Sequence, residues 1–289
     1  MNEEKNMEII NTFVIPHLNN KKGLLRCLDT LYKYTPKNFR VILIDQSEDL
    51  TLYEELKDKV HLHVKAYRNL GFAKASNTGI KLADTKYVTV LNDDVEFIGP
   101  KWWGGIEETF KRWDETILAC NPSSMKKLDG GGMPVDDVDF PYKEQWTEEE
   151  YDAMIMKESN NNPERGVFVD GITPWCVIFD RERLLKVGLF DESYYPGGGE
   201  DYDLQNRAYW LGKMGKVKHY RFLGSSISMA YHQWCVTKVT QDAYKTYEDA
   251  KHLYQKKWGT EEHTNPYPNG TQGRPLEDLE LPEFVIKEL

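Results

Sequence analysis

The run Tyr87-Val88-Thr89-Val90-Leu91, followed at once by Asn92-Asp93-Asp94, decides how this chain is read. Five residues without polar alternation are the pattern of a strand covered on both faces, and the polar triplet ends it abruptly. Two similar runs lie upstream, segment 12–16 (Thr-Phe-Val-Ile-Pro) and segment 40–45 (Arg-Val-Ile-Leu-Ile-Asp). Between them Leu24, Leu25, Leu28, Leu31 and Tyr32 fall on one helical face, and a second helix is expected from Ala73 to Ala83. A short helix near Leu52 to Lys59 and a strand near His61 to Ala66 fill the remainder. Alternating units of this length imply right-handed crossovers, hence an α/β, Rossmann-like, mostly parallel central sheet flanked by helices.

Downstream, Pro100 followed by Trp103, Ile106, Phe110 and Trp113 predicts a helix with proline in its first turn. Residues 121–166 break the pattern with Gly130 to Gly132, several prolines, many acids and Asn160 to Asn162. They predict an excursion from the core with one helix capped by Thr147 and Glu150. Strands are expected near Thr173–Phe179, Val217–Phe222 and Ile227–Tyr231, and a helix from about Asp201 to Leu211. Segment 240–258 carries Tyr244, Tyr247, Tyr254 and Trp258 at helical spacing, and the Pro-rich acidic end after Asn265 reads as an extended tail. The organisation expected is one domain over 1–236, in halves of about 8–115 and 167–236, followed by a C-terminal helix and tail over 237–289.

With 289 residues, 40% apolar, 29% charged and 12% aromatic, the chain has the composition of a globular protein, which excludes disordered, collagen-like and coiled-coil readings. The longest aliphatic run, Val41 to Ile44, is far below the ~18 residues of a membrane span. The start Met1 to Lys5 has no apolar signal region, so a cytoplasmic location is expected. Cys27, Cys120, Cys176 and Cys235 are scattered and read as buried free thiols. A net charge of −10 argues against broad grip on a nucleic-acid backbone and leaves Lys126-Lys127 and the segment from Lys213 to Arg221 as the basic clusters.

In open parallel sheets ligands bind beyond the carboxyl ends of the strands. Here those ends read Pro16-His17-Leu18-Asn19, Asp45-Gln46-Ser47 and Asn92-Asp93-Asp94. No glycine-rich phosphate loop follows any of them, so a carboxylate pair holding phosphates through a divalent metal is the alternative. Asn92-Asp93-Asp94 taken alone is also a good turn. A second constellation is Gly197-Gly198-Gly199-Glu200-Asp201-Tyr202-Asp203-Leu204. Its acids suit a first helical turn, while three glycines suit a loop that closes over substrate.

Taken together these segments resemble the inverting family 2 glycosyltransferases with the GT-A fold, over residues 10 to about 235. The family's V-I-P-T-Y-N opening appears as Val14 to Asn19, and its N-x-G-x-x-x-A-x-N-x-G segment as Asn69, Gly71, Ala75, Asn77 and Gly79. Its D-x-D appears as Asn92-Asp93-Asp94, its G-x-F-D-E as Gly188 to Glu192, and its E-D-x-D-L as Glu200 to Leu204. The resemblance implies an inverting, metal-dependent transfer of a sugar from a UDP-, GDP- or dTDP-linked donor to an acceptor glycan or other hydroxyl-bearing molecule.

Carried over by position, it implies Asp201 as catalytic base and Asp94 with His232 as ligands of Mn²⁺ or Mg²⁺, His219 standing behind His232. It implies Asp45 as the contact to the nucleotide base, within a donor set of Pro16, Asn19, Asp45, Arg68, Asn69, Gly71, Lys74, Asn77, Asn92 and Asp93. Trp175, Tyr194, Tyr195, Glu200 and Tyr202 are the acceptor-side candidates. Two departures stand out. Asn92 replaces the first acid of D-x-D, which leaves Asp94 as main ligand and turns Asp93 to the donor sugar or ribose. His17-Leu18 replaces Thr-Tyr, which bears on nucleotide identity. Transfer to a modified nucleic-acid base, a sugar nucleotidyltransferase and a non-catalytic nucleotide-sugar-binding protein are the alternatives.

Overall fold

The computed structural model describes residues 10–125, 147, 149–150, 153, 172–232, 241–259, 264–265 and 274–275; within these, side chains are described except at 123–125, 226–227, 229, 241–248, 264–265 and 274–275. The apolar runs form strands β1 (Asn11–His17), β2 (Phe39–Asp45), β3 (Leu62–Lys65) and β4 (Tyr87–Leu91), all parallel and ordered β3-β2-β1-β4. Helices α1 (Lys21–Tyr34), α2 (Leu52–Leu56) and α3 (Phe72–Leu82) make the crossovers. Strand β1 runs in register with β2 from Asn11↔Phe39 to His17↔Asp45, so the two polar ends finish side by side.

Successive strand residues face opposite sides. Phe13 and Ile15 pack on one side with Leu24, Cys27, Leu28 and Leu31 of α1, and Val14 packs on the other with Ala75 and Ile80 of α3. Helix α1 starts on Asn20, whose Oδ1 accepts from the Gly23 N–H at 3.2 Å.

The second half adds β5 (Val95–Phe97), α4 (Trp102–Arg112), β6 (Ile117–Met125), β7 (Cys176–Asp180), α5 (Arg181–Val187), α6 (Glu200–Lys213), β8 (Arg221–His232) and α7 (Gln241–Trp258). Eight strands form one sheet, β3-β2-β1-β4-β7-β6-β8-β5, with β7 antiparallel to β4 and β6, and β5 antiparallel to β8. The register Val95↔His232 brings the end of β8 beside the turn that follows β4.

Several expectations need correction. Strand β6 runs five residues into the expected excursion, where the Asn121 amide donates to Thr173 O and Cys176 O at 2.7 and 2.6 Å. The two strands expected over 217–231 are one, whose pairing with β6 shifts register at Pro122/Ser123. Helix α5 was not anticipated: it is seven residues long and buries only Leu184 and Val187, and Asp180 caps it by accepting from the Arg183 N–H at 3.0 Å. The capping box is present, Thr147 and Glu150 bonding reciprocally at 3.2 Å. The rest of the excursion lies outside the described residues, as do Cys235 and nearly all of the tail. Cys27, Cys120 and Cys176 are buried and free.

Candidate active site

The turn Asn92 to Asp94 is held from four sides. His17 Nδ1 lies 2.6 Å from Asp93 Oδ2, and Asn20 Nδ2 donates to Asp93 Oδ1 at 3.1 Å. The Asn92 N–H donates to Trp175 O at 2.8 Å, and Asn92 Nδ2 lies 3.3 Å from His232 Nε2, a residue 140 positions on. Gly23 lets α1 come this close, since a Cβ there would meet Asp93 O at 2.7 Å. Burial pushes the Asp93 carboxyl above its ordinary range, and the His17 and Asn20 contacts pull it back only in part. With both oxygens taken by the protein, Asp93 braces the turn, whereas the sequence assigned it to the donor.

Asp94 is different. It is buried, its Oδ1 lies 3.2 Å from His232 Nε2, and that oxygen has no aligned hydrogen bond. The Trp175 ring stacks on the imidazole at 5.2 Å between centroids and 15° between planes, fixing the ring's orientation. Trp175 is buried, so it reaches the site through His232.

At the end of β2, Asp45 is as buried as the core around it. Its Oδ1 accepts from the Ser47 N–H and hydroxyl at 2.9 and 2.6 Å; its Oδ2 accepts from Lys65 Nζ at 3.0 Å and faces His63 Nε2 at 2.9 Å. Burial opposes ionisation, yet the Ser47, His63 and Lys65 partners together hold the carboxyl below its ordinary value. The expected base contact therefore sits inside a four-bond internal network.

Asn77 likewise spends its amide within the fold: Nδ2 donates to Phe190 O at 2.8 Å, and Oδ1 accepts from the Phe190 N–H at 3.1 Å. Gly71, at φ +75°, opens α3, and a Cβ there would meet Tyr195 and Pro196. Asn69 Oδ1 accepts from the Gly71 N–H at 2.8 Å. Asn69 and Arg68 are exposed, Pro16 is half-buried, Lys74 lies 3.4 Å from Glu192, and Asn19 Oδ1 accepts from the Glu48 N–H at 3.3 Å.

Helix α6 starts on Gly199 in the left-handed conformation and carries Glu200, Asp201 and Asp203 in its first turn, where the helix dipole favours them. Glu200 and Asp201 are buried; Glu200 accepts from the Gly198 N–H, and Asp201 Oδ1 from the Tyr202 N–H at 2.9 Å. Gln205, one turn beyond Asp201, brackets Ile172 by bonding its N–H and C=O at 3.1 and 3.2 Å. The Asp201 face is thus turned to the segment leading into Trp175. Asp203 faces the other way, fully buried against Arg207, Lys257 and Trp258. Tyr194 and Tyr202 pack with α7 around Tyr254, so of the aromatic acceptor candidates only Tyr195 is openly exposed. His219 packs at Gly212, and no described contact joins it to His232.

A family model described as glycosyl transferase family 2 matches residues 12–162, just over half of the chain. The chain belongs to this family. Solved structures share its GT-A fold. The mannosyltransferase PcManGT of Pyrobaculum calidifontis, in complex with GDP-Man and Mn²⁺, is 19% identical with a TM-score of 0.53, over 86% of this chain and 63% of that one. TarS 1–349 of S. aureus, in complex with UDP, is 15% identical with a TM-score of 0.52, over 84% and 64%. GalNAc-T7 with UDP, GalNAc and Mn²⁺ is 17% identical with a TM-score of 0.58, over 89% and 49%. This family 2 chain thus spans between about half and just under two thirds of their lengths. No curated protein sequence matches it significantly.

The chemistry at Asp94 suits the divalent cation that a family 2 site implies. A carboxylate oxygen and an imidazole nitrogen facing each other at 3.2 Å, the oxygen buried and unbonded, are two donors that a shared cation would bring to rest. Among the described residues no third His, Cys, Asp or Glu joins them. Sequence reasoning singled out His17 as a departure without its bond to Asp93, and it missed Asn20, His63 and Lys65; these roles depend on how the strand ends meet. It also missed the anchor role of Asp203, although Asp203 and Arg207 at i,i+4 were a legible pair.

Proposed function

We propose that this family 2 chain moves a sugar from a nucleotide-sugar donor to an acceptor hydroxyl, with inversion. The observation that carries the reading is the pairing of Asp94 with His232 at the carboxyl end of the sheet, where nucleotides bind in such folds. Asp94 and His232 would hold a divalent cation, which when bound supplies charge neutralisation to the diphosphate leaving group. His17, Asn20 and Asn92 fix the turn that presents Asp94. Trp175 keeps the His232 ring in place.

Asp201 accepts the proton of the acceptor hydroxyl as its oxygen attacks the anomeric carbon from the face opposite the leaving group. Its face of α6 turns toward the Ile172–Trp175 segment, while Asp203 and Asp191 are committed to Lys257 and Glu200 accepts from the Gly198 N–H. Around Asp45 the exposed Tyr53 ring, 5.5 Å from His63, offers a surface for the nucleotide base. Charge and composition favour a glycan or other neutral hydroxyl acceptor over nucleic acid.

The test is a panel of UDP-, GDP- and dTDP-sugars, each with Mn²⁺, Mg²⁺ or chelator, read by thermal stabilisation and by slow donor hydrolysis. One nucleotide is expected to stabilise the protein only with a cation and to be hydrolysed. A protein that no member stabilises or reacts with, in any condition, overturns the reading.

A further inference from the structure

Away from the strand-end cluster, Lys257, in the last turn of α7, joins two carboxylates that are twelve positions apart. Its ammonium lies 2.8 Å from Asp191 Oδ2 and 2.8 Å from Asp203 Oδ1. These carboxylates mark the two ends of segment 191–203, which contains exposed Tyr195, Gly197 to Gly199, Glu200 and Asp201. The next residue, Trp258, donates Nε1–H to the same Asp203 oxygen at 3.0 Å. Arg207 Nε donates to the other oxygen at 2.8 Å, and its remaining nitrogens donate to Val187 O and Leu189 O, just before the segment.

The three glycines offer no side chain by which the turn could be fixed, and ordering them is entropically costly. Within the turn the backbone is held by the Phe72 N–H on Pro196 O at 2.7 Å and by Glu200 on the Gly198 N–H; side-chain charge fastens it at its ends, and one ammonium grips both. Two helix positions are about 200° apart around the axis, so turning Asp203 to α7 turns Asp201 away from it. Gln205 on Ile172 completes the same orientation. Further packing comes from Tyr194, buried under α7 with Tyr254 and Trp258.

We infer that Lys257 and Trp258 are positioning residues: the C-terminal helix latches both ends of segment 191–203 and thereby sets where the Asp201 carboxylate stands when the acceptor arrives. Both lie outside the region matched by the family model. This inference rests on Asp201 being the proton acceptor of the proposed transfer.

The experiment compares full-length wild type with Lys257→Met and Lys257→Arg. Probes are UDP-glucose, UDP-N-acetylglucosamine and GDP-mannose with Mn²⁺, using whichever wild type hydrolyses fastest. Three quantities are read: calorimetric affinity for that donor, the turnover of hydrolysis, and amide exchange along the chain. Misplacing a reacting group by about 1 Å costs ~100-fold, so Lys257→Met is expected to lose ~10- to 100-fold in turnover, with donor affinity within about twofold of wild type. Its exchange should rise in 191–203 and in α7, while β1, β2 and β4 stay protected. Lys257→Arg should restore most of the turnover, because a guanidinium can reach both carboxylates.

Unchanged turnover in Lys257→Met overturns the latch. So does a loss that comes with weakened donor affinity and loosened exchange throughout, since that is general destabilisation. Should wild type hydrolyse none of the three donors, the wider panel above decides the proposed function separately; exchange at 191–203 in Lys257→Met that matches wild type overturns the latch, and a local rise there keeps it as a fastening of the turn.

Discussion

Asp94 and Asp203 are both buried carboxylates, and their surroundings are opposite. Asp203 is saturated by Arg207, Lys257 and Trp258, drawn from two helices. Asp94 keeps a buried oxygen with no aligned donor, facing a ring nitrogen. A saturated buried carboxylate is spent on the fold, because adding a ligand would mean breaking bonds already made. An unsaturated one carries a desolvation cost that only something from outside can relieve. The contrast separates anchor from site more sharply than acidity or exposure does, and it extends to Asp45 and Asp93, which fall on the anchor side.

The largest expected effect concerns Asp201, which belongs to neither extreme. Asp201→Asn keeps a side chain that suits a first helical turn, so the protein should fold with nearly unchanged stability. An amide cannot take the acceptor's proton, and losing a general base costs about 10²- to 10⁴-fold in rate. Donor binding measured by calorimetry should persist while transfer or hydrolysis collapses. Activity within a few-fold of wild type would remove Asp201 from catalysis, and since Asp191 and Asp203 are committed to Lys257, it would leave Glu200 as the acid to test.

The comparison itself is broken or kept by a pair of variants. Asp203→Ala leaves Arg207 and Lys257 in a buried place without their shared partner, and removing one member of such a group costs about 3–5 kcal/mol. Denaturant unfolding should show that loss. Asp94→Ala deletes a carboxylate whose oxygen was unbonded, so stability should change by less than about 1 kcal/mol without metal, while Mn²⁺-dependent binding of a nucleoside diphosphate disappears. A large stability loss in Asp94→Ala and a small one in Asp203→Ala would reverse the assignment.

Acid should find the anchor too. Burial works against the ionised form of Asp191, but Lys257 and Ser193 outweigh it and hold the carboxyl down to about 2 from its ordinary 3.8. A depressed carboxylate stabilises above its unfolded value, so this contribution is complete above about pH 4 and is lost as pH falls toward 2. Amide exchange in α7 should accelerate over that interval.

A smaller effect is expected at Trp175. Outer residues that orient a ligand are worth about 10- to 100-fold in metal affinity, and Trp175 presents the flat face on which His232 lies. Trp175→Leu keeps the backbone C=O that accepts from Asn92, so the turn should hold while Mn²⁺ affinity falls by about that factor. Unchanged Mn²⁺ binding, followed by the metal's own magnetic resonance, would reduce the stack to core packing.

How far the sequence carried differs between the two halves for a physical reason. Up to Leu91 the strands β1, β2 and β4 are built on apolar runs, and α1 and α3 each bury one face, so local pattern and tertiary position agree. After it, strand β6 contains Asn121, Pro122 and two serines, which read as loop; they continue the strand because β8 supplies their partners, β7 pairing only Ala119 and Cys120. Asp94 and His232 were legible as a pair through family resemblance, and the register of β5 on β8 accounts for their meeting. The anchors were not legible. Nothing local tells that Lys257 will reach Asp203, or that His17 will bond Asp93 across two strand ends, since both depend on crossovers that the pattern fixes only in direction. The glycine run also lets Gly199 begin α6 beside the Tyr194 ring, which the sequence did not foretell.

The smallest expected effect tests whether burial, and not charge pairing as such, makes Asp203 matter. Arg40 Nη1 reaches both oxygens of Asp84, at 2.9 and 3.0 Å, distances close to those of the Asp203 contacts, but with 45% and 70% of their side chains exposed. Water screens their attraction and solvates either partner when the other is removed, so exposed pairs contribute about 0.2–1 kcal/mol. Asp84→Ala should therefore shift the unfolding free energy by no more than that, and the shift should shrink further in 1 M salt, where the screening length falls to about 3 Å. Asp203→Ala, measured in the same salt, should keep most of its effect, because its partners are walled off from ions. If instead both losses were of one size, or both faded with salt, pairing geometry alone would set the strength of these contacts, and the argument that saturation in a buried place marks an anchor would lose its footing.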